Sequence, residues 1–164
     1  MKNVIIFLFF LPIMAFSQSH SKYRIFFSSD SAKIDTNNEA KDEPGYLSYS
    51  VKIDLNGDGV QEEFIAALQN CSSGGCPWVL YDGKSNTEIG AIDGSIVYIL
   101  KDKRNGFPLI EAYWGEGCCA ATVHYYAFDK KEYKEVKRKH LTQKEMEEYF
   151  DAKPPNSAEF KELK

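Results

Sequence analysis

The hydrophobic positions of the chain fall in short runs, which either alternate with polar positions or contain no polar position at all. Alternation places apolar side chains on one face of an extended chain and predicts a half-buried strand, whereas a short unbroken apolar run predicts a central strand. Residues 47–54 alternate in this way, and residues 64–68 are apolar throughout. The same patterns predict further strands at residues 23–27, 78–81, 96–100, 109–114, 122–128 and 133–137.

The connections between these segments are short, carry turn signals such as Asn105-Gly106 and contain no helical period. Parallel strands would need long crossover connections, which are usually helices. The sequence therefore predicts an all-β domain built as an antiparallel meander. The alternating charges of residues 130–139 predict that the last strand lies at a solvated edge of the sheet.

Only the C-terminal region changes to a helical period. Thr142 and Glu145 have the spacing of a capping box, and Met146 and Phe150 lie four residues apart on one helical face. These residues predict a short C-terminal helix that ends before Pro154-Pro155.

The N-terminal segment has the pattern of a secretory signal peptide. Lys2 precedes an apolar run over residues 4–16, and Ser17-Gln18 follows the run. The alternative is a membrane anchor, but the run is shorter than the roughly 20 residues that span a bilayer. We therefore expect a secreted or periplasmic protein with no stable membrane insertion after cleavage. The predicted divisions are a signal peptide over 1–18, an N-terminal arm with the first strand over 19–45, an antiparallel β domain over 46–140 and a helical tail over 141–164.

Composition limits the classes of function. The 164 residues are enough for one domain with a packed core, since 43% of them are hydrophobic. The formal net charge is -4, whereas a nucleic-acid-binding protein needs a basic stripe to displace counterions from phosphates. No serine-hydrolase elbow, zinc-protease motif or phosphate-binding glycine loop occurs. The sequence therefore supports neither a nucleic-acid partner nor an enzyme.

Four cysteines follow the signal peptide, Cys71, Cys76, Cys118 and Cys119, and in an exported protein we expect them to form disulfides. Four cysteines allow three pairings, and the sequence leaves all three open. Each pair lies beside glycines, and we favour an arrangement in which the two loops are close in space. The alternatives are free thiols and a four-thiolate zinc site, although adjacent cysteines rarely chelate one ion together.

Residues 54–62 carry the most specific signal in the chain. Side chains with oxygen atoms recur at alternate positions, and Gly59 permits a sharp turn between them. This spacing gathers hard oxygen donors around one point, as Ca²⁺ prefers, whereas a polar turn without an ion is the alternative. The predicted calcium ligands are the side chains of Asp54, Asn56, Asp58 and Glu62 and the carbonyl group of Val60.

This loop is not an EF-hand, because Ile65 stands where the bidentate glutamate would be and the flanks are predicted strands. Over residues 46–70 it resembles the calcium-binding hairpins of the FG-GAP and VCBS repeat families, with Glu62 where those families usually have Asp. The resemblance implies a calcium loop between two antiparallel strands. Because the chain holds one such motif, we expect a blade-like sheet or small sandwich instead of a complete propeller.

Other side chains have both a structural and a functional interpretation. The aromatic residues are expected to build the core, but Trp78 and Trp114 each stand near a cysteine loop and would suit recognition of a protein or glycan. His124 and Glu111 would suit a small hydrolase if they converged in a pocket open to solvent. His140 is expected at a solvated bend.

These features predict an exported, calcium-stabilised binding or structural module of the bacterial envelope or exterior. Its expected partner is an envelope or extracellular protein or a glycan. The alternative classes are a secreted inhibitor or immunity-type protein, which would plug a partner's cleft with its cysteine loops, and a small hydrolase.

Overall fold

The computed structural model describes residues 23–28, 33–35, 47–151 and 161–162. The expected signal peptide and the Pro154-Pro155 helix stop lie outside the described residues. The strands are β1 (Tyr23–Ser28), β2 (Lys33–Asp35), β3 (Ser48–Ile53), β4 (Glu62–Ala67), β5 (Cys76–Tyr81), β6 (Glu88–Gly94), β7 (Ile96–Arg104), β8 (Phe107–Gly115), β9 (Ala120–Phe128), β10 (Tyr133–Thr142) and β11 (Lys161–Glu162), and the helix is α1 (Gln143–Asp151).

The strands form two sheets. The five-stranded sheet has the order β2-β3-β4-β5-β6, and the six-stranded sheet has the order β10-β9-β8-β7-β1-β11. Neighbouring strands are antiparallel throughout, apart from β1 and β11, which are parallel. The prediction of an all-β meander with a short C-terminal helix is therefore confirmed, and the arrangement is a small sandwich. β10 lies at an edge of its sheet, as its alternating charges indicate.

The main core lies between the two sheets. Phe27 of the six-stranded sheet meets Phe64 and Trp78 of the five-stranded sheet, with ring centroids 5.0 and 5.1 Å apart. All three side chains are fully buried. Burial of large aromatic side chains across the two sheets is therefore a main source of the stability of the sandwich.

A second cluster covers the opposite face of the six-stranded sheet. On β7, Ile99 packs in the main core, whereas Tyr98 belongs to the second cluster. The ring of Tyr149 from α1 lies 6.4 Å from the Tyr98 ring, and the Tyr149 hydroxyl donates to the buried Glu111 carboxylate at 2.7 Å. The helix thus covers one face of the six-stranded sheet, and the other face packs against the five-stranded sheet.

The N-terminus of α1 has the capping box that the sequence predicts. The backbone N–H of Thr142 donates to Glu145 Oε2 at 3.0 Å, and the backbone N–H of Glu145 donates to the Thr142 hydroxyl at 3.4 Å. The backbone N–H of Thr142, the Lys139 ammonium and the Thr142 hydroxyl all donate to the Glu145 carboxylate and lower its pKa to about 2. Met146 and Phe150 both contact Tyr113, which confirms that they share one helical face.

Strand β6 was not expected from the hydrophobic pattern. It contains Gly90 and Gly94, which weaken a strand signal. At Gly90 a Cβ atom would lie 2.8 Å from the Cβ atom of Tyr133, so glycine permits the close approach of β6 to the other sheet. This approach brings β6 beside β9 and β10, where a groove opens at the margin of the sandwich.

Candidate functional site

The predicted calcium loop joins β3 to β4. Ile53 pairs with Glu62 at the base of the hairpin, so the loop begins and ends in register. The Leu55 side chain is fully buried and anchors the loop to the main core. Gly57 and Gly59 have φ angles of 86° and 85°, and this left-handed backbone explains why glycine stands at both positions.

Short polar side chains organise the backbone of the loop. The Asp54 carboxylate accepts the N–H groups of Gly57, Asp58 and Gly59 at 2.7, 3.2 and 3.1 Å. Asn56 Oδ1 accepts the Asp58 N–H at 2.8 Å, and Asp58 Oδ1 accepts the Val60 N–H at 2.9 Å. The alternate spacing of these residues therefore produces a series of turns that curl the loop around its own acceptors.

Glu62 differs from the other acidic residues of the loop because it is almost fully buried. Its Oε2 atom accepts the Leu55 N–H at 2.7 Å, and its Oε1 atom lies 3.4 Å from the Asn56 amide nitrogen. Burial raises the pKa of Glu62 above its usual value, and the charges of Asp58 and Asp54 raise it further, against the hydrogen bonds from the backbone N–H groups of Leu55 and Glu62. A buried carboxylate near two others favours a neighbouring cation.

The donor chemistry of the loop fits a hard divalent cation. Asp58 Oδ2 and Glu62 Oε1 both point at the side-chain nitrogen of Asn56, at 3.0 and 3.4 Å. Reversal of the Asn56 amide would turn its oxygen toward the same place, but it would set the amide nitrogen against the Asp58 N–H, so the side chain must also shift, leaving Asp54 as the acceptor for Asp58. The ligands would then be oxygen atoms alone, the set that Ca²⁺ prefers.

Two lysines also approach the loop. Lys84 Nζ lies 2.7 Å from Asp58 Oδ2, and Lys103 Nζ donates to the Asn56 carbonyl at 3.0 Å. The hydrogen bond from Lys84 lowers the pKa of Asp58. These exposed ammonium groups partly offset the negative charge of the loop, but such surface pairs contribute little stability.

Two further observations concern a bound ion. Among the residues that the structure describes, no three His, Cys, Asp or Glu side chains are grouped to hold a metal. The carboxylates of Asp54, Asp58 and Glu62 are thus not gathered around one point in this structure, and an ion would have to draw them together with the Asn56 amide and the Val60 carbonyl. A cleft of about 670 Å³ between the loop and the β5–β6 turn, with Asp54, Val60 and Asp82 in its lining, provides a path from solvent.

The raised pKa of Glu62 leads to a pH prediction. In chelator, the free energy of unfolding of wild type should fall relative to that of Glu62→Gln as the pH rises. The fall begins at about pH 4.5, the ordinary pKa of glutamate, and continues through the higher pKa of Glu62 in the folded state. At pH 7 the variant should therefore unfold at higher temperature, because glutamine keeps the acceptor for Leu55 without a buried charge. Thermal unfolding between pH 4 and pH 8 measures this, with the exposed Glu88→Gln as the control. A less stable Glu62→Gln protein at pH 7 would contradict it.

The structure joins Cys71 to Cys76 by a disulfide. Cys118 and Cys119 are free and exposed, so their participation in disulfides stays a prediction. Because Cys71 and Cys76 are bonded to each other, the four-thiolate zinc alternative is not formed. The hydrogen bond with Cys118 raises the pKa of Cys119 above its usual value.

The two cysteine loops touch, as favoured from the sequence. The backbone N–H of Gly115, at the end of β8, donates to the Gly74 carbonyl at 2.9 Å. A Cβ atom on Gly74 would overlap the Gly115 carbonyl oxygen and lie 2.9 Å from the Trp114 ring, whereas one on Gly115 would make only ordinary contacts. The disulfide loop therefore supports the base of the β8–β9 hairpin.

This contact predicts opposite outcomes for two glycine-to-alanine changes. Gly74→Ala should lower the free energy of unfolding by about 1–3 kcal/mol, because the added methyl group overpacks a tight contact. Gly115→Ala should change it by less than about 0.5 kcal/mol, since its methyl group meets no close atom. Urea unfolding measures both, and equal effects of the two changes would contradict the described contact.

Beside this hairpin lies a groove of about 320 Å³ at the margin of the sandwich. The paired residues Trp114, Thr122 and His140 place three side chains in one row across β8, β9 and β10. The side chains that line the groove are those of Asp93, Trp114, Glu116, Thr122, His124, Arg138 and His140. We refer to this cavity as the Trp114 groove.

The polar groups of the Trp114 groove form two separate sets of contacts. The buried Thr122 hydroxyl donates to Glu116 Oε1 and lies 2.7 Å from His140 Nδ1. With the hydroxyl proton directed at Glu116, the contact with His140 is a hydrogen bond in the tautomer that carries a proton on Nδ1. His124 Nδ1 lies 3.5 Å from Glu135, and Arg138 binds the same carboxylate through two nitrogens. The contacts among Glu116, Thr122 and His140 fix donors and acceptors beside the Trp114 ring.

Three expectations from the sequence need correction. Trp78 does not flank a surface, because its side chain is fully buried and its Nε1 donates to the Gly94 carbonyl at 3.0 Å. His124 and Glu111 do not converge: His124 pairs with Ala112, so the adjacent Glu111 points to the opposite face, toward α1. His140 lies in a strand, not at a bend. The proposed hydrolase centre is therefore not formed.

The fold and its loops thus define an antiparallel sandwich with an acidic hairpin loop and a separate polar groove. Comparisons with protein-family models, with curated proteins and with solved structures found no match to this chain. Within the described part of the chain, none of the helical segments has the length and apolar character needed to cross a membrane.

Proposed function

We propose that the protein is an exported, calcium-stabilised binding module of the bacterial envelope or exterior. The loop between β3 and β4 holds a structural Ca²⁺, and the Trp114 groove holds the ligand. The pattern of residues 1–18 and the Cys71–Cys76 disulfide support a location outside the cytoplasm, since disulfides persist in oxidising compartments.

The observation that carries the calcium proposal is the buried carboxylate of Glu62. Burial of a carboxylate is costly unless a cation or hydrogen bonds compensate for it. The carboxylate accepts the backbone N–H groups of Leu55 and of Glu62 itself, and its Oε1 atom lies 3.4 Å from the Asn56 amide nitrogen, so it stays charged and buried beside Asp54 and Asp58 with only neutral donors. A calcium ion at that place offsets the repulsion among three carboxylates and fixes the turn between the strands.

The chemistry of the Trp114 groove suits a small polyhydroxylated ligand, such as the sugar ring of a glycan. The volume of about 320 Å³ is at the lower end of ligand pockets and admits a ring, not an extended protein surface. The indole of Trp114 offers an apolar face, and Glu116 and His140 offer polar partners for hydroxyl groups.

A panel of soluble mono- and disaccharides tests the ligand proposal. Binding is followed by calorimetry on wild type, Trp114→Ala and Glu116→Gln, with the exposed Glu88→Gln as the control. We expect one saccharide class to bind wild type and the control. In both groove variants the affinity should fall about tenfold or more, which corresponds to a loss of at least about 1.4 kcal/mol of binding free energy. Equal binding by wild type and Trp114→Ala would contradict the groove as the site.

A second candidate is the inhibitor class. Ser72 and Ser73 of the disulfide loop and residues 116–119 of the β8–β9 hairpin are all exposed, and the Gly115–Gly74 hydrogen bond holds the two loops together. Such a paired loop would suit insertion into a partner's cleft. If envelope extract yields a specific protein partner whose capture depends on residues 116–119 and no saccharide binds, the inhibitor class replaces the glycan proposal.

A further inference from the structure

The tip of the β8–β9 hairpin holds two adjacent exposed cysteines. The sulfur atoms of Cys118 and Cys119 lie 2.6 Å apart. The backbone N–H of Glu116 donates to the Ala120 carbonyl at 2.9 Å and closes the turn that contains both residues. Gly117 has a φ angle of 102°, which lets the chain reverse just before the pair.

We propose that Cys118 and Cys119 are a reversible redox site, which forms a disulfide between adjacent residues by exchange with a disulfide-bonded donor and thereby sets the shape of the Trp114 groove. The redox step rests on the geometry of the hairpin alone. Its consequence for ligand binding rests on the proposed function.

The exchange balances in two steps. The thiolate of one cysteine attacks one sulfur of the donor disulfide and forms a mixed disulfide, while the other donor sulfur leaves as a thiolate. The thiolate of the second cysteine then attacks its neighbour's sulfur and expels the second donor thiolate. The cysteine pair loses two electrons and two protons, and the donor becomes two thiols.

The bond between adjacent residues is expected to open more easily than the Cys71–Cys76 bond. Adjacent Cα atoms are held about 3.8 Å apart by a trans peptide, closer than the 4.2 Å between Cys71 and Cys76, which itself is slightly below the roughly 4.4–6.8 Å of an ordinary disulfide. Strain and exposure both make a disulfide easier to reduce, and Cys76, in contrast, is buried in the core. The chain therefore carries one structural disulfide and one labile pair.

The hairpin connects this pair to the Trp114 groove. Glu116 stands two residues before Cys118, and its carboxylate holds the Thr122 hydroxyl that in turn meets His140. The Gly115–Gly74 hydrogen bond fixes the base of the hairpin. A rearrangement at the tip therefore displaces Glu116, which lies between the base and the cysteines. Closure of the ring restricts the peptide between the two cysteines and shifts the position of Glu116 in the groove.

Mass spectrometry tests the redox step. Trypsin places the Cys71–Cys76 bond in the peptide of residues 53–84 and the adjacent pair in the peptide of residues 105–130, so each pair is read separately. The purified protein is treated with oxidised glutathione, or with oxidised glutathione followed by mild dithiothreitol, and then alkylated. We expect the second peptide to lose both alkylatable thiols on oxidation and to regain both with dithiothreitol, while the first peptide stays bonded.

The variant Cys118→Ser provides the matched control, because it leaves one thiol that can only stop at the glutathione adduct. Persistent glutathione adducts on both cysteines of wild type, thiols that resist oxidation, or a cross-link between the two tryptic peptides would each overturn the proposal. None of these readouts depends on calcium or on a ligand.

Tryptophan quenching tests the effect on the groove. The chain has two tryptophans, and only Trp114 is partly exposed, so acrylamide quenching reports on the groove. We expect quenching to differ between the oxidised and reduced protein and not to respond to redox treatment in the Cys118→Ser/Cys119→Ser double variant. If the peptide of residues 105–130 oxidises without any change in quenching, the claim that the pair sets the shape of the groove is wrong.

Discussion

Replacing Trp78 by alanine is expected to lower the free energy of unfolding by about 3–5 kcal/mol, a large part of the stability of a domain of this size. The indole is fully buried between the sheets, where its ring meets Phe27 at 5.1 Å and Tyr49 at 6.2 Å. Removal leaves a cavity that the two sheets cannot fill without losing contact, and it leaves the Gly94 carbonyl without its donor. Urea unfolding followed by circular dichroism measures the loss.

Two further variants separate the causes of this loss. Trp78→Phe keeps much of the volume but removes the Nε1 donor, so we expect a smaller loss of about 1–3 kcal/mol. Trp114→Ala should cost less than Trp78→Ala, because the Trp114 ring is partly open to solvent in its groove. If Trp114→Ala destabilised the protein as much as Trp78→Ala, the assignment of Trp78 to the core and Trp114 to the surface would be contradicted.

Calcium is expected to raise the stability of wild type by about 2.7 kcal/mol at a concentration roughly one hundred times the dissociation constant. The gain should disappear in the double variant Asp58→Asn/Glu62→Gln, which keeps the shapes and acceptors of the loop but removes two charges. In chelator the double variant should be no less stable than wild type, because the lost Lys84 pair is exposed and the lost Glu62 charge is buried. Thermal unfolding in calcium and in chelator measures both differences.

Magnesium and a distant variant serve as controls for the calcium effect. Magnesium at the same concentration should stabilise wild type less, since it requires a stricter geometry and retains its waters. Asp129→Asn removes a carboxylate from a different turn and should leave the calcium effect unchanged. An equal response of wild type and the double variant to calcium would place the ion elsewhere, and no response of either would favour the polar turn without an ion.

The helix and most of the longer strands were predictable because their signals are local. The alternation at residues 47–54 and the apolar run at 64–68 correspond to β3 and β4, and the capping box at Thr142 marks the start of α1. Strand β6 was missed because its glycines, which permit the close approach to Tyr133, also remove the strand signal. A tertiary requirement therefore outweighed the local pattern.

The position of Trp78 was also present in the pattern. In β5, the alternate residues Cys76, Trp78 and Leu80 are all buried, so the tryptophan belongs to an inward face. Its nearness to a cysteine loop in the sequence suggested a surface role, but alternation along the strand was the better guide. Trp114, in contrast, stands at the open end of β8 and lines a groove.

The Trp114 groove could not be read from the sequence. Thr122 and His140 lie far apart in the chain and meet only because β9 and β10 pair in one particular register. A shift of one residue would turn His140 to the other face, and the hydrophobic pattern of the exposed edge strand β10 does little to fix that register. Glu116 reaches the same place from a hairpin tip, whose position depends on the Gly115–Gly74 contact.

The most direct measurement is a calorimetric titration of the purified, calcium-free protein with Ca²⁺. The account predicts one ion bound per chain by wild type, and none at the same concentrations by the Asp58→Asn/Glu62→Gln variant with its fold retained. Absence of any binding to folded wild type at millimolar calcium, or undiminished binding to the variant, would contradict it.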